Sequence, residues 1–449
     1  MPIFLDHPIK IPVSVSGFFL LTIVLAPSAP AHAIPPFARQ TGLECSACHT
    51  VYPQLTAYGR QFKMNGYVDG DVDTALYKKI GAWLQGSFTR TNKGQSGGAA
   101  PDFGENDNFA LDQGSLFFGG RVIDKVGAFV QGTYDGIGKA FAWDNIDVRF
   151  ANRGTVAGED VAYGVSLNNS PSVTDPWNTT PVWSFPFDGS GLAPTPAASP
   201  LLKDGLGQIV IGASAFADWN SSIYGEVGLY HTLPRNMINA LDVSSDGAPK
   251  SNGLAPYWRF AWHRDDGTNN FMVGTFGLYA SLYPNGEKSA GADRYTDLGF
   301  DAQYQYVGDR DSVTVRGTLI HEMQDLAASA TLGGADSATG ALNSADASIA
   351  YLYDGTYQFS LGASHLWGGS DAALYGTPSG SPTSTSFTAQ IDWLPFNKEP
   401  WSVYEWFNPR LSLQYVHYTR FDGSSGNVDG TGRDASDNDT LFLLLTATF

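Results

Sequence analysis

The sequence predicts a mainly β protein: an antiparallel transmembrane β-barrel of about sixteen strands, preceded by a short N-terminal α-helical segment. Three observations support this fold class. Apolar and polar residues alternate along many segments, short turns alternate with long loops, and 13 % of residues are aromatic while only 16 % are charged. A strand that separates lipid from a watery lumen has this period of two.

Alternation is clearest over residues 295–306. Five apolar residues share one face: Leu298, Phe300, Ala302, Tyr304 and Tyr306. Polar residues and a glycine take the other: Asp297, Gly299, Asp301, Gln303 and Gln305. The last segment puts Leu441, Leu443 and Leu445 on one face and ends at Phe449, an aromatic C-terminus that resembles those of outer-membrane barrels. A soluble sandwich is the alternative, but it would rarely display outward aromatics such as Trp258, Trp262 and Trp393.

The order of strands and connections predicts the orientation of the barrel. Strands are expected near 79–91, 109–122, 125–135, 140–151, 159–169, 207–217, 221–232, 256–264, 269–283, 294–306, 311–323, 344–353, 356–367, 384–394, 408–420 and 439–449. Long loops fall near 92–108, 170–206, 233–254, 325–342, 368–383 and 421–438. Because outer-membrane barrels have short periplasmic turns and long extracellular loops, both ends of the barrel should be periplasmic.

The N-terminus is typical of an exported protein. Lys10 precedes the apolar run 11–26, and Ala31-His32-Ala33 has the form of a signal-peptidase site. A membrane anchor is the alternative, but the run is short for that role. We therefore expect a signal peptide at 1–33, a second segment at 34–78 and a barrel at 79–449.

The formal net charge of −18 argues against nucleic acid and anionic lipid as partners and is compatible with cations. Acidic residues in the predicted loops could attract cations, or they could simply keep the loops soluble: Asp102, Glu105, Asp107, Asp437 and Asp439. Within the barrel, residues of both signs are expected to face a hydrated or plugged lumen: Asp297, Asp301, Asp392, Glu226, Glu322, Arg259, Arg316 and Arg410.

The two cysteines form one motif, Cys45-Ser46-Ala47-Cys48-His49, which is the attachment signature of c-type haem. Two thiols three residues apart can bond the two porphyrin vinyl groups, and the next residue can ligate the iron. A disulfide would not need His49, a thioredoxin-type pair would need a βαβ context, and a zinc site would need four ligands. The motif predicts one covalent haem c bound by Cys45, Cys48 and His49.

The residues after the motif predict a helix over 53–65 that ends at Gly66, with Leu55, Tyr58 and Phe62 on the face toward the porphyrin. Met64 is the candidate second axial ligand, and core packing or a five-coordinate iron are the alternatives. Among the barrel histidines, His231, His321, His365 and His417 should face outward. Only His263 should face the lumen.

The segment around this motif resembles the N-terminal part of outer-membrane monohaem cytochrome–porin fusions. The resemblance covers about residues 35–67: Phe37-Ala38-Arg39-Gln40-Thr41-Gly42 before CSACH, and Tyr58-Gly59-Arg60-Gln61-Phe62-Lys63 after it. It implies that Cys45, Cys48 and His49 bind the haem. It also implies electron transfer from Fe(II) or another reductant outside the cell to a periplasmic carrier such as a soluble cytochrome.

We therefore expect an electron conduit in the bacterial outer membrane, in which residues 34–78 form a monohaem cytochrome c segment that plugs the barrel. Its haem should lie inside or at the mouth of the barrel, and an iron oxidase activity is one possibility. One alternative is a porin-type channel for solutes or metal ions whose haem plug gates it or senses redox state. A periplasmic haem peroxidase is another, for which the segment offers Arg39, Arg60 and Lys63 but no second histidine.

Overall fold

The structure is a computed structural model that describes residues 35–71, 75–179, 186–241, 243–397 and 406–449. The predicted signal peptide, 1–33, lies outside these residues. The described residues all belong to one compact unit. None of the helices in this part of the chain is long and apolar enough to cross a membrane.

The strands form one antiparallel sheet that closes on itself, because β1 pairs with both β2 and β17. The described strands are β1 (Ile80–Thr91), β2 (Asn108–Ile123), β3 (Val126–Asp135), β4 (Ala140–Val156), β5 (Glu159–Asn168), β6 (Val210–Trp219), β7 (Ile223–Thr232), β8 (Lys250–Ser251), β9 (Ala255–Asp265), β10 (Asn269–Tyr283), β11 (Asp293–Val307), β12 (Asp311–Asp325), β13 (Thr339–Tyr353), β14 (Tyr357–Gly368), β15 (Ser384–Trp393), β16 (Asn408–Arg420) and β17 (Thr440–Thr448). β8 is a two-residue strand beside β10, and the other sixteen form the barrel. The predicted fold class is confirmed.

The helices are short. They are α1 (Pro35–Thr41), α2 (Cys45–Cys48), α3 (Ala57–Met64), α4 (Arg235–Ala240), α5 (Ala327–Leu332) and α6 (Ala372–Tyr375), with 3-10 turns at Leu76–Lys79, Pro284–Gly286 and Ala435–Asn438 and a π turn at Leu201–Gly205. The predicted helix over 53–65 was too long. It begins at Ala57, because Thr56 is its N-cap and the Thr56 hydroxyl accepts a hydrogen bond from the Gly59 amide. Gly66, with φ +73°, follows its end as expected.

The two faces of the barrel wall differ as the alternation predicts. On β11 the outward Phe300 is 63 % exposed, while the neighbouring Asp301, which faces the lumen, is 4 % exposed. The outward Trp262 and Trp393 are also exposed. A closed barrel can span a membrane because every backbone hydrogen bond is satisfied within its own wall. Its apolar outer face is then covered by lipid and not by water. The chain is therefore a porin-like barrel of the bacterial outer membrane.

The barrel closes at its C-terminus. The backbone amide of Phe449 donates to the Ala82 carbonyl at 2.8 Å, and the Ala82 amide donates to the Phe449 carbonyl at 2.9 Å. The last aromatic residue therefore lies at the periplasmic end of the wall, beside the start of β1. This end also carries the short turns.

Two segments fill the lumen. The first consists of residues 35–71 of the N-terminal segment, called the plug below, which enters from the periplasmic end. The second is the described part of the connection between β5 and β6, residues 169–179 and 186–209, called the inner loop below. The sequence predicted an extracellular loop at 170–206, and this placement was wrong: Val173, Asp175 and Trp177 are buried inside the barrel. The loop turns inward because its carboxylates and carbonyls pair with arginines of the wall.

The barrel histidines have the predicted orientations. His231, His321 and His365 lie on the outward face, and His417 is half exposed on the same side of β16 as the outward Leu411, Leu413 and Tyr415. His263 faces the lumen, where its Nε2 lies 2.8 Å from Asp218 Oδ1.

Replacing Leu319 by arginine should destabilise the barrel. Leu319 lies at the centre of β12 with 54 % of its surface exposed on the outer face. A cation at this depth in lipid costs about 2–4 kcal/mol. Unfolding by guanidinium in lipid vesicles measures the difference from Leu319→Ala. Equal stability of the two variants would contradict a lipid-facing position.

Candidate functional site

The Cys45–His49 motif forms a single tight turn inside the barrel. The His49 amide donates to the Cys45 carbonyl at 2.9 Å, so α2 is one helical turn. Thr56 then binds the turn twice, through its amide to the Cys48 carbonyl at 2.9 Å and through its hydroxyl to the Ala47 carbonyl at 2.6 Å. The loop 50–55 is thus folded back on the motif, and His49 pairs with Leu55 as a β-bridge.

The helix α3 lies directly against this turn at a glycine. A Cβ atom at Gly59 would overlap the Cys48 carbonyl oxygen and would also lie 3.1 Å from Leu55 Cδ2. Because contacts this close are not tolerated, position 59 has to lack a side chain for α3 to pack on the motif. This constraint sets the distance between the helix and Cys48-His49.

His49 is only 5 % exposed and lines two adjoining cavities of about 300 and about 90 Å³. Phe37, Pro53 and Phe129 line both cavities as well. Further aromatic side chains complete the walls: Tyr52, Trp83 and Phe117 around the larger cavity, and Phe62 and Tyr67 around the smaller. The histidine therefore faces a space with aromatic walls near the periplasmic ends of β1, β2 and β3. The larger cavity is also lined by polar side chains: Gln85, Gln113, Gln131, Asp144, Asn145 and Asp188.

Burial sets the protonation state of this histidine. It lowers the pKa of His49 to about 4, although the nearby carbonyls of Pro53 and Gln54 oppose the shift. The imidazole is therefore neutral at physiological pH, which is the form that ligates metals. Its Nδ1 atom is buried without a hydrogen bond of standard geometry.

The two cysteines differ in their surroundings. Cys48 lines the smaller cavity beside His49. Cys45 packs on Ala38 and Phe396, and its Sγ accepts a hydrogen bond from Asn408 Nδ2 at 3.3 Å. Burial raises the pKa of each thiol to about 12, so both are protonated. The structure thus brings Cys48 and His49 to the cavities and holds Cys45 at the far end of the same turn.

Met64 lies on another face of α3, away from the two cavities that His49 lines. It packs in a cluster with Trp177, Tyr224 and Met272, and it lines a separate cavity of about 520 Å³. His263 lines that cavity too, with its ring 5.2 Å from the Trp177 ring. Packing against the wall accounts for Met64 in this structure, and its role as a ligand stays a prediction.

The cavity of about 520 Å³ borders the motif on the side away from His49. Ser46 and Ala47, the two residues between the cysteines, line it together with turn residues such as Asp265 and Gly267. Those residues belong to the β9–β10 turn at the periplasmic end of the barrel. The motif therefore borders the periplasmic mouth on one side and the aromatic cavities on the other.

Arg149 binds the wall, the plug and the inner loop together. On β4 it is fully buried, and its Nε donates to Asp147 Oδ2 at 2.7 Å. Its two terminal nitrogens donate to the Lys63 carbonyl of the plug at 3.3 Å and to the Thr174 carbonyl of the inner loop at 2.9 Å. One buried cation thus fixes three parts of the chain.

Arg410 repeats this arrangement on β16, five strands away around the barrel. Its Nε donates to Asp392 at 2.9 Å, and its Nη2 lies 3.1 Å from Asp188 of the inner loop. Its Nη1 also reaches the Tyr52 carbonyl of the plug at 3.5 Å, three residues from His49. Arg410 and Asp392 were predicted to face the lumen, and this is confirmed.

The remaining lumen charges also face inward as predicted. Arg259 binds Asp301 at 2.7 Å and lies 3.4 Å from Asp175 of the inner loop. The other predicted members are buried as well: Glu226, Asp297, Arg316 and Glu322. The sequence prediction missed Asp147 and Arg149. Their alternation with apolar neighbours in β4 could have identified them as lumen residues.

Most of the acidic loop residues already have partners. Asp102 pairs with Lys139, Asp107 lies 3.6 Å from Arg90, and Asp437 lies 3.2 Å from Lys93. Asp439 is buried, where it accepts hydrogen bonds from Tyr415 and His417. In the described residues, no group of three or more His, Cys, Asp or Glu side chains is placed to hold a metal ion.

The three basic residues considered for peroxidase chemistry are engaged in structural contacts. Arg39 donates to the Ile80 carbonyl at 2.8 Å and lies over the Trp406 ring. Arg60 binds Asn270 and Gln305 of the wall. The Lys63 amine donates to the Val173 and Asp175 carbonyls at 2.7 and 2.9 Å. These contacts make the peroxidase alternative the weakest of the three.

Replacing Gly59 by alanine should displace α3 from the motif. We expect a lower yield of haem-loaded protein, because the new Cβ would overlap the Cys48 carbonyl. Haem staining on denaturing gels, normalised to folded barrel, measures the yield. Gly369→Ala is the matched control, at a glycine that has no positive φ and nothing within 4 Å of an added Cβ. An unchanged yield for Gly59→Ala would contradict the packing described here.

Replacing Arg410 by methionine should destabilise the lumen. The change leaves Asp392 buried without its cation, which costs about 3–5 kcal/mol. The control is Arg310→Met, which breaks an exposed pair with Asp354 and should cost less than about 1 kcal/mol. Guanidinium unfolding of the folded protein measures both. Equal effects would contradict the role of Arg410, and adding Asp392→Asn should restore part of the loss.

Neither a protein-family model nor a curated relative matches the chain. Among solved structures it is similar to an anion-selective porin from Comamonas acidovorans, at 10 % identity and a TM-score of 0.45 over 82 % of this chain and 98 % of that one. It is also similar to the outer-membrane channel DcaP of Acinetobacter baumannii, at 11 % identity and 0.44 over 82 % and 96 %. Pseudomonas putida OprB matches at 12 % and 0.44 over 82 % and 94 %. Likeness at this level says nothing about what this chain binds or conducts.

Proposed function

We propose that this porin-like barrel is an electron conduit of the outer membrane, with one c-type haem held by Cys45, Cys48 and His49 inside the lumen. The observation that carries the proposal is the position of His49, buried and neutral in an aromatic cavity within a closed barrel. A conduit with a single redox centre needs that centre within the membrane, because one haem cannot relay an electron across the full thickness by hopping.

The residues around His49 fit a porphyrin. Phe37, Trp83 and Phe129 offer aromatic faces, and His49 offers a neutral imidazole nitrogen. Cys48 lines the same space, while Cys45 has to leave its hydrogen bond to Asn408 to form the second thioether. Two buried cysteines on one turn, followed directly by a buried, neutral histidine, match the donor set of a c-type haem.

The haem would supply a one-electron couple, accepting an electron from the outer donor and giving it to the periplasmic acceptor. The protein supplies the rest. His49 would ligate the iron, the aromatic walls would exclude bulk water, and the barrel would separate the electron path from lipid. Gly59 and Thr56 hold the turn that positions the ligand.

The position of the motif supports a donor and an acceptor on opposite sides. Ser46 and Ala47 face the cavity at the periplasmic mouth, where a soluble carrier such as a cytochrome could approach. The family resemblance favours extracellular Fe(II) as the donor. Oxidising iron outside the cell also keeps poorly soluble Fe(III) out of the periplasm.

A porin-type channel is the second candidate. In this function the plug would gate the pore or sense redox state, and solutes or metal ions would pass through the lumen. The barrel itself supports the channel more directly than the conduit, because a channel requires the barrel and its wet cavities and no particular donor. The filled lumen, with the plug and inner loop bound by buried arginines, favours the conduit.

The two functions are separated by stopped-flow spectroscopy of the purified, haem-loaded protein mixed with Fe(II). A conduit should show rapid appearance of the reduced c-type bands. His49→Ala should abolish the response, and His321→Ala, an outward histidine, should leave it unchanged.

Reduction by dithionite without reduction by Fe(II) would contradict iron oxidation and leave the haem in place. Steady ion conductance of the reconstituted protein in planar bilayers would then favour the channel. Absence of covalent haem from the purified protein would contradict both haem functions.

A further inference from the structure

We propose that one side of the lumen retains a water-filled passage, along the inner face of β13–β16, through which a small hydrated electron donor reaches the His49 cavity from the extracellular side. The passage is a property of the barrel alone. Its use by an electron donor rests on the function proposed above.

The passage is a cavity of about 300 Å³ between the inner loop and the wall. Its wall residues are small or polar and face inward: Asp346, Ser348, Gly362, Ser364, Ser386 and Thr388. All of them are half-buried, whereas inward residues elsewhere, such as Ser166 and Thr446, are nearly inaccessible. Small side chains on three neighbouring strands, β13, β14 and β15, thus line a space beside the described part of the inner loop, whose Phe187 lies against Gly362.

The lining of the cavity extends from the outer part of the barrel toward the site. Tyr418, near the extracellular end of β16, lines its upper part. Asp188 and Asn178 of the inner loop line it below. Asp188 also lines the larger His49 cavity and Asn178 the smaller one. These two residues are therefore the boundary between the passage and the space in front of His49.

The part of the wall formed by β4 and β7 is closely packed. There Arg149, Tyr224 and Tyr230 are completely buried, and Arg149 joins wall, plug and inner loop. An approach from outside is therefore obstructed along β4 and β7, which favours the side of β13–β16.

Size and lining indicate the class of donor. At about 30 Å³ per water, the cavity holds roughly ten water molecules. Side chains with hydroxyl groups are frequent in its lining, and charges of both signs are present. Lys203 lies 2.7 Å from Asp346, Asp188 lies 3.1 Å from Arg410, and Arg316 donates to Gln303 at 2.9 Å. Such a passage selects by size more than by the sign of charge. It fits a hydrated metal ion or a reductant of similar size, and it excludes the redox centre of a protein.

The first test needs no haem chemistry. Ser364→Cys, in the passage, and Ser166→Cys, inward but packed on the far wall, are exposed to a small charged thiosulfonate reagent in lipid vesicles. Ser364→Cys should react at least about tenfold faster, because a packed site reacts only after local opening. The wild-type protein serves as the control for labelling of the native Cys45 and Cys48, which are both buried. Equal, slow labelling of the two variants would overturn the passage.

The second test fills the passage in the haem-loaded protein. Ser364→Trp places a large side chain in the cavity, and Leu361→Trp places the same side chain on the outer face of the same strand, where Leu361 is 61 % exposed. We expect Ser364→Trp to slow haem reduction by Fe(II) at least about tenfold relative to Leu361→Trp, as a blocked route then has to open locally. Equal rates would overturn the use of the passage by the donor.

The two failures can be told apart. If no variant carries haem, or if wild type is not reduced by Fe(II), the proposed function fails while thiol labelling still decides the passage. If Ser364→Trp does not fold, Ser348→Phe fills the same cavity from β13 and takes its place.

Discussion

The structure depends on arginines that are buried in the lumen of a membrane barrel. A guanidinium cannot lose its charge there, so each one has to be surrounded by carboxylates and carbonyls. Arg149 and Arg410 obtain these partners from three places at once: the wall, the inner loop and the plug. The need to compensate these charges is what holds two otherwise irregular segments inside the barrel.

This constraint determines where the motif lies. Arg410 binds the Tyr52 carbonyl and Arg149 the Lys63 carbonyl, so the plug is held on both sides of the segment between His49 and the end of α3. Thr56 and Gly59 then fix the turn against α3. The result is a buried histidine with an aromatic space on one side and the periplasmic mouth on the other. This position favours electron transfer over a freely open pore.

The barrel could be predicted from the sequence because a period of two is a local property. Each strand shows it, as Phe300 and Asp301 illustrate, and the sixteen predicted strands lie within a few residues of those observed. The path of the inner loop could not be predicted this way. Its Gly, Ser and Pro composition matches that of an extracellular loop, and what draws it inward is the pairing of Asp175 and Asp188 with distant arginines. The orientation of Met64 was equally inaccessible, since helical spacing does not say which face of α3 meets the wall.

The central claim is that the plug is a fixed part of the lumen, and hydrogen exchange measured by mass spectrometry on the full-length protein in lipid vesicles tests it most directly. If the buried arginines hold the plug as described, peptides covering residues 45–67 should exchange as slowly as those of the barrel strands. Exchange of this segment within seconds, beside slow exchange of the strands, would contradict the account.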